Sequence, residues 1–337
     1  MNYRRLGNSG LLVSELALGT MIFGEDSARG VSEVDALRLI DAYRDAGGNH
    51  LDVADVYAGG RAEEIVGGAL KGKRSGAIVA SKVRWPMGKD VNQAGLSRHH
   101  IIEATNASLA RLGVETIDVL YMHGWDALTP LDESLRAMDD LVSSGKARYL
   151  GVSNFMAWQA MKALGVSEKH GWSRFAAGQY QYSLVVRDIE NEFGDFWVSE
   201  GVGLVPWGPL GGGFLSGKYQ RGSAPPPAAS GRIGQTPDDW EESWARRDTD
   251  RNWRTLDIVQ RIVAAHPGSS PAQVSIAWLL AQPGVSSVVV GARTEAQLRG
   301  NLGAAELQLS ADELTRLTAV SDAGLSYPAR AVNTRRR

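Results

Sequence analysis

SEVDALRLIDAYRDAGGNHLDVADVYAGG, residues 32–60, decides how the chain is read. Val34, Leu37, Ile40 and Tyr43 recur at helical spacing, and Gly47 lies near the point where a helix has to stop. The apolar run HLDV, residues 50–53, follows directly as a short strand. One helix thus delivers the chain into one buried strand, the repeating half-step of an α/β fold. The strand then ends in ionisable groups. Either Asp52, Asp55 and Tyr57 cap the turn and the next helix, or some of them point into a site where chemistry happens.

The same unit recurs on both sides. Strands are predicted at ELAL (15–18), HLDV (50–53), AIVAS (77–81), IDVLYM (117–122), ARYLGV (147–152), FAAGQY (175–180), VGLVPW (202–207) and SSVVV (286–290). Helical stretches such as LSRHHIIEATNASLARLG, PLDESLRAMDDLVSSG and AQVSIAWLLAQPG lie between them. Eight strands, each followed by a helix, is the count of a (β/α)8 TIM barrel, so residues 1–337 are read as one barrel domain. NYRRLGNSGLLV at the start reads as an extra β-hairpin turning at GNSG. Residues 211–254, with GGG, SAPPPAASGRIGQ and a Trp-rich charged stretch, are too long for an ordinary connection and read as a loop over the site. Residues 325–337 read as a C-terminal tail.

Composition narrows the function. Of 337 residues, 43% are hydrophobic and 22% charged, as in globular proteins, and no apolar run reaches the length of a membrane span. A net charge of −2 supplies no field for nucleic acid, and the arginines ending the chain are few enough to be a solvated tail. With no cysteine there is no disulfide framework and no thiol nucleophile. The start lacks the apolar stretch of a secretory signal, so a cytoplasmic protein is expected. No metal site is expected: the pair His99 and His100 reads as a capping or solvated feature at a helix start.

A barrel places its active site where the loops after its strands meet, so the last residues of each strand are the ones to inspect. The strands deliver Asp52, Lys82, His123, Ser153 with Asn154, and Gln179 to that rim. Each alone has a structural explanation, but five polar strand ends at one rim read as a site. Tyr57 leaves on the loop after Asp52. Tyrosine titrates near ~10, and an adjacent ammonium stabilises its phenolate and brings that value down. Lys82 can supply the ammonium, Asp52 can hold Lys82 charged, and His123 can orient a carbonyl by hydrogen bonding. The set is a general acid aimed at a carbonyl oxygen, half of a carbonyl reduction.

The other half is a hydride donor. No G-x-G-x-x-G follows the first strand, so a Rossmann site is not expected. VVVGARTEAQLRGNL, residues 288–302, instead runs from the eighth strand into a helix, with Gly291 allowing close approach and Arg293 offering a bidentate phosphate partner. Trp207 ends the seventh strand and could stack on a flat heterocycle, with glycines behind it suited to a pyrophosphate.

LDVADVYAGGRAEEIVGGAL, the lysine of ASK, IDVLYMHGWD, GKARYLGVSNF, PWGPLGGGFLSGKY and GARTEAQLRGNL resemble, in order and over nearly the whole chain, the signature segments of the aldo-keto reductases. The flavour is that of bacterial members and the potassium-channel beta subunits, because Trp207 stands where the aldose-reductase type has tyrosine. The resemblance implies a barrel that reduces aldehydes or ketones with NADPH and can run backwards on alcohols. It places Asp52, Tyr57, Lys82 and His123 on the catalytic tetrad, with Tyr57 the proton donor. Gly19, Thr20 and Met21 fall on the first cofactor loop; Ser153, Asn154 and Gln179 on the nicotinamide carboxamide, beside Asp52; and Trp207 on its stacking partner. Pro209, Leu210, Lys218 and Arg232 match pyrophosphate contacts, and Gly291, Arg293, Gln297 and Asn301 the adenosine 2′-phosphate and adenine site.

Three positions depart from the family pattern: Val53 for threonine, Ala62 for serine, and Gly300 where an acidic residue often meets the adenosine. The last leaves Arg293 to do most of the discrimination between NADPH and NADH. Phe23, Trp85 and Trp125, with Tyr57 and His123, are the expected substrate walls, and Trp240 and Trp244 are available on the loop. No arginine is placed by the pattern to demand a phosphate or carboxylate on the substrate. The expected partner is a small carbonyl compound, neither nucleic acid nor membrane, with oligomeric state open. Two rivals remain: a non-catalytic NADPH-binding, redox-sensing partner protein, and a lyase using Lys82 as a Schiff-base nucleophile.

Overall fold

The computed structural model describes residues 1–223, 232–235 and 242–333. Two short antiparallel strands, β1 (Tyr3–Arg5) and β2 (Leu12–Ser14), form the expected hairpin. Eight parallel strands follow: β3 (Leu16–Gly19), β4 (His50–Asp52), β5 (Ile78–Val83), β6 (Ile117–Met122), β7 (Ala147–Ser153), β8 (Phe175–Gln181), β9 (Gly203–Trp207) and β10 (Val288–Val290). Each lies beside its sequence neighbour, and β10 pairs with β3. The ring closes where the Leu204 amide donates to the Gly284 carbonyl and the Ser286 amide to the Leu204 carbonyl, both at 2.8 Å. Eight predicted strands are eight observed ones, in a (β/α)8 barrel.

Alternation along the strands divides the core in two. Ala17, Ala80, Val119, Tyr121, Ala177, Val205 and Val289 fill the barrel interior. Their neighbours Leu16, Leu18, Leu51, Val79, Leu120, Leu150, Val152 and Leu204 point outward into the larger core shared with the helices. The hairpin closes the floor. Leu6 is fully buried in the interior cluster, and Asn8 donates its amide to the Gly201 carbonyl at 2.8 Å. Gly7 has φ +57°, and a Cβ there would stand 2.3 Å from the Gly201 oxygen and 2.6 Å from the Gly203 nitrogen. Both the backbone angle and the close approach demand glycine.

The helix Glu33–Asp45 begins where the Ser32 side chain accepts from the Asp35 amide, and it buries Ala36, Leu39, Ile40, Ala42 and Tyr43. Val34, expected on that stripe, is 59% exposed, because the barrel-facing side starts only at Ala36. The segment expected as a loop over 211–254 is shorter than that: Thr249 accepts from the Asn252 amide and starts the helix Asp250–Ala265. Trp240 lies outside the described residues. Within the expected tail, Ala329–Asn333 is helical and 334–337 lie outside the described residues. Among the described residues no helix is long and apolar enough to cross a membrane.

Leu6→Ala should lower stability by about 2–5 kcal/mol, because it opens a cavity in an interior that cannot collapse. The shift in the urea-unfolding midpoint measures it.

Candidate active site

The polar strand ends reach one place by parity. Lys82 lies two residues beyond Ala80 on β5, and His123 two beyond Tyr121 on β6; Gln179 follows Ala177, and Trp207 follows Val205, in the same way. Each therefore continues the inward-facing series past the last apolar layer.

Lys82 is fully buried. Its Nζ donates to both Asp52 oxygens at 2.9 Å, to the Val53 carbonyl at 2.9 Å and to the Tyr57 hydroxyl oxygen at 3.2 Å. Three ammonium hydrogens thus face four acceptors, and the charge is fully solvated by protein. Burial alone would drive the lysine toward neutrality, but Asp52 and then Tyr57 outweigh it and hold the pKa above its ordinary value. Gln179 completes the Asp52 shell, donating to Oδ1 at 2.7 Å.

Tyr57 reaches Lys82 over an unusual turn. Ala58, Gly59 and Gly60 have φ of 48°, 63° and 98°, three left-handed residues in succession. Ala58 is one of only two non-glycine residues so placed among the described residues, so the turn that presents the hydroxyl stores strain. The Tyr57 ring meets the His123 ring edge-on at 6.0 Å between centroids, and Trp85 meets His123 the same way at 6.1 Å. Burial, then the charges of Lys82 and Arg84, push the His123 pKa well below its usual range. His123 is therefore a neutral imidazole, able to hydrogen-bond a carbonyl without adding charge.

The sequence left open what Asp55 does. It is fully buried, neither carboxyl oxygen has a hydrogen-bond partner among the described residues, and burial followed by the Glu63 charge pushes its pKa up to about 7. Glu63, by contrast, is held by Arg111 and by the Ser81 hydroxyl. Asp52 thus faces the site and Asp55 is enclosed beside it, neutral over most of the acidic range.

The residues expected to hold a cofactor form an arc around the same mouth. Thr20 is pinned to β4, its amide and hydroxyl both donating to the Asp52 carbonyl at 3.0 and 2.9 Å, between Gly19 and a half-buried Met21. Ser153 donates to the Gln179 carbonyl at 2.7 Å, and Asn154, with φ +54°, donates to the His123 carbonyl at 3.0 Å. Trp207 pairs in register with Gln181 at the end of β9, and Pro209 and Leu210 follow in the turn. Arg232 begins the helix Arg232–Gln235, but its side chain lies outside the described residues.

At the far end of the arc Thr294 caps the helix Glu295–Leu302, the Gln297 side chain accepts from the Arg293 amide at 2.9 Å, and Asn301 holds the Gly291 carbonyl at 3.2 Å. The Arg293 guanidinium rests on the Ala28 carbonyl at 3.0 Å and pairs with no carboxylate among the described residues. Burial and then the Arg293 charge lower the Lys218 pKa. Two cations close enough to repel, one of them just before the start of the helix Glu295–Leu302, suit a phosphate-bearing ligand.

Two expected substrate walls stand at the mouth: Trp85 on His123, and Trp125 against Phe155 and Trp158 at 5.1 and 5.8 Å. Phe23 does not. The chain turns inward there, bridging to Val31, and encloses Phe23 completely in the core outside the barrel. Trp244 is likewise buried, packed edge-on to Tyr219 and Trp253. His100 is buried rather than solvated, with Nε2 lacking a partner among the described residues, and those residues contain no cluster able to hold a metal. Sequence reasoning missed Tyr121, paired in backbone register with Lys82 and with an enclosed hydroxyl that has no partner among the described residues, and Arg84, two residues beyond Lys82. Counting in twos along each strand would have found both.

A (β/α)8 barrel whose strand ends converge on a buried lysine, its carboxylate and a tyrosine hydroxyl has an arrangement able to move a proton. The chain belongs to the aldo/keto reductase family, whose model matches residues 15–322. It is 35% identical to a probable voltage-gated potassium channel subunit beta of Arabidopsis thaliana and 38% identical to one of Oryza sativa subsp. japonica, each over 91% of this chain and 92% of the relative. It is also 34% identical to a versiconal hemiacetal acetate reductase of Aspergillus parasiticus, over 94% of this chain and 96% of that protein.

The enclosed carboxyl has a measurable signature. Asp55 keeps its proton in the folded protein up to about pH 7 but loses it near the ordinary aspartate value of 3.8 when unfolded. Between those values the unfolded state binds fewer protons, so this residue makes stability fall as pH rises, levelling above the folded value. Asp55→Asn should remove that component, so the difference in melting temperature between variant and wild type should change in the variant's favour from pH 4 to pH 7. A difference independent of pH would show that Asp55 titrates normally.

Proposed function

We propose that the protein reduces an aldehyde or ketone to the alcohol, reversibly, with NADPH as the electron source and Tyr57 as the proton donor to the carbonyl oxygen. One observation carries this reading: the Tyr57 hydroxyl rests 3.2 Å from an ammonium that is itself held by both oxygens of Asp52. That contact stabilises the phenolate left when the proton departs, the condition for a tyrosine to act as an acid near neutral pH. Neutral His123 orients the carbonyl toward Tyr57, and Trp85 and Trp125 border the space above it.

NADPH, when bound, would supply the hydride to the carbonyl carbon. Ser153, Asn154 and Gln179 would hold its carboxamide and Trp207 its ring face. Gly19, Thr20 and Met21 would border its first loop. Pro209, Leu210, Lys218 and Arg232 would take the pyrophosphate, and Gly291, Arg293, Gln297 and Asn301 the 2′-phosphate and adenine. The repulsion between Lys218 and Arg293 supports NADPH over NADH, because the extra phosphate neutralises it. A lyase using Lys82 as an amine nucleophile fits poorly, since its pKa is held up and all its hydrogens have acceptors.

A second reading is an NADPH-binding partner protein that senses redox state; the names of the two plant relatives, each a probable channel subunit beta, support the partner role in it. A fluorescence titration with NADPH and NADH, followed by 4-nitrobenzaldehyde, separates the two: oxidation of bound NADPH on adding aldehyde marks a reductase, and binding without oxidation marks the partner protein.

Tyr57→Phe should lower the reduction rate by about two to four orders of magnitude while sparing NADPH binding; a near wild-type rate would remove Tyr57 as donor. Arg293→Ala should weaken NADPH far more than NADH in the same titration, and an equal loss would show that Arg293 does not read the 2′-phosphate.

A further inference from the structure

Arg84 is a cation at the mouth that the proposed reaction leaves without a task. It lies two residues beyond Lys82, so it continues the inward-facing series of β5 one step above the site. Its guanidinium stacks on the Trp85 ring, 4.0 Å from the centroid, and Nη2 donates to the Trp125 carbonyl at 3.2 Å. Those contacts fix the plane of the fork but use one donor of five. Nε is enclosed with no partner among the described residues, while Nη1 has none either and is not enclosed. No carboxylate forms an ion pair with Arg84 among the described residues. Asp126, whose carboxylate feels the Arg84 charge, is already held by the Leu96 and Leu128 amides and the Thr129 hydroxyl, at 2.8, 3.0 and 2.7 Å.

An arginine serving only to staple the loop would gain an ion pair with a carboxylate, and a solvated one would not be stacked on one tryptophan ring and tied to the backbone of another tryptophan. A rigid, unneutralised fork against an aromatic wall is instead prepared for a planar anion. The geometry points to Arg84 as a specificity-determining residue: the substrate class is a carbonyl compound that also carries a carboxylate, on an apolar or aromatic body lying along Trp85 and Trp125. This rests on the carbonyl-reductase reading above and narrows it.

The test compares 4-carboxybenzaldehyde with 4-nitrobenzaldehyde, which match in shape but not in charge, in the wild-type protein and in Arg84→Gln and Arg84→Lys. Calorimetric binding of 4-(hydroxymethyl)benzoate is measured alongside, because it needs no turnover. Arg84→Gln should lower kcat/KM for the carboxylate aldehyde by about tenfold to a hundredfold, through KM, and weaken benzoate binding comparably. The nitro aldehyde should change by no more than about twofold on the same grounds, and Arg84→Lys should retain part of the preference, which also guards against misfolding. Equal loss for both aldehydes, or benzoate binding indifferent to Arg84, overturns the assignment. If neither aldehyde is reduced and benzoate binding still depends on Arg84, the anion site stands and the reductase reading falls.

Discussion

Lys82 carries a positive charge with no exposed surface, and the arrangement of the mouth follows from neutralising it. An isolated ammonium at that depth would lose its proton, and removing one partner of a buried pair costs about 3–5 kcal/mol. Asp52, the Val53 carbonyl and Tyr57 therefore have to converge on one atom from β4 and the loop after it, and Gln179 comes across the barrel to satisfy the remaining carboxylate valence. The ion pair is thus a positional constraint. It fixes β4, β5 and β8 relative to each other at the level where their side chains meet.

The strain at Ala58 belongs to the same constraint. Bringing a tyrosine hydroxyl back over the strand it has just left needs a tight reversal, and three left-handed residues supply it. His50 lies below, fully enclosed on the same strand as Asp52, and burial takes its pKa down to about 4 against the opposing pull of the Asp52 charge. A charged lysine between neutral histidines above and below sets the polarity of the mouth. The variable element is the wall, where Trp85, Trp125 and Arg84 sit on loops free of that constraint.

The fold was legible because its signal is local. Eight short apolar runs separated by amphipathic helices admit few arrangements once each strand must lie parallel to the next. The positions of Asp52, Lys82 and His123 were legible because each ends or directly follows a strand, and that of Tyr57 because it leaves on the loop after Asp52. What misled was side-chain direction in loops. Phe23 follows the first strand and was expected at the mouth, but its chain turns inward to Val31 and buries it. Trp244, available on the loop with either role open to it, packs into the core, where Tyr219 and Trp253 meet it. Val34 matched the helical period yet faces water, since the period fixes spacing and leaves the phase to the packing partner.

By itself the sequence determined the element order, the barrel, and which residue types reach its rim, since backbone periodicity and strand length are set by near neighbours along the chain. Only the tertiary structure decided which of those groups share a charge. Asp52 and Asp55 are three residues apart and chemically alike, yet one accepts from an ammonium 2.9 Å away and the other is enclosed with no partner among the described residues and keeps its proton to about pH 7. Electrostatic interaction and desolvation depend on distance in space, so residues far apart along the chain settle them and no local pattern records the outcome.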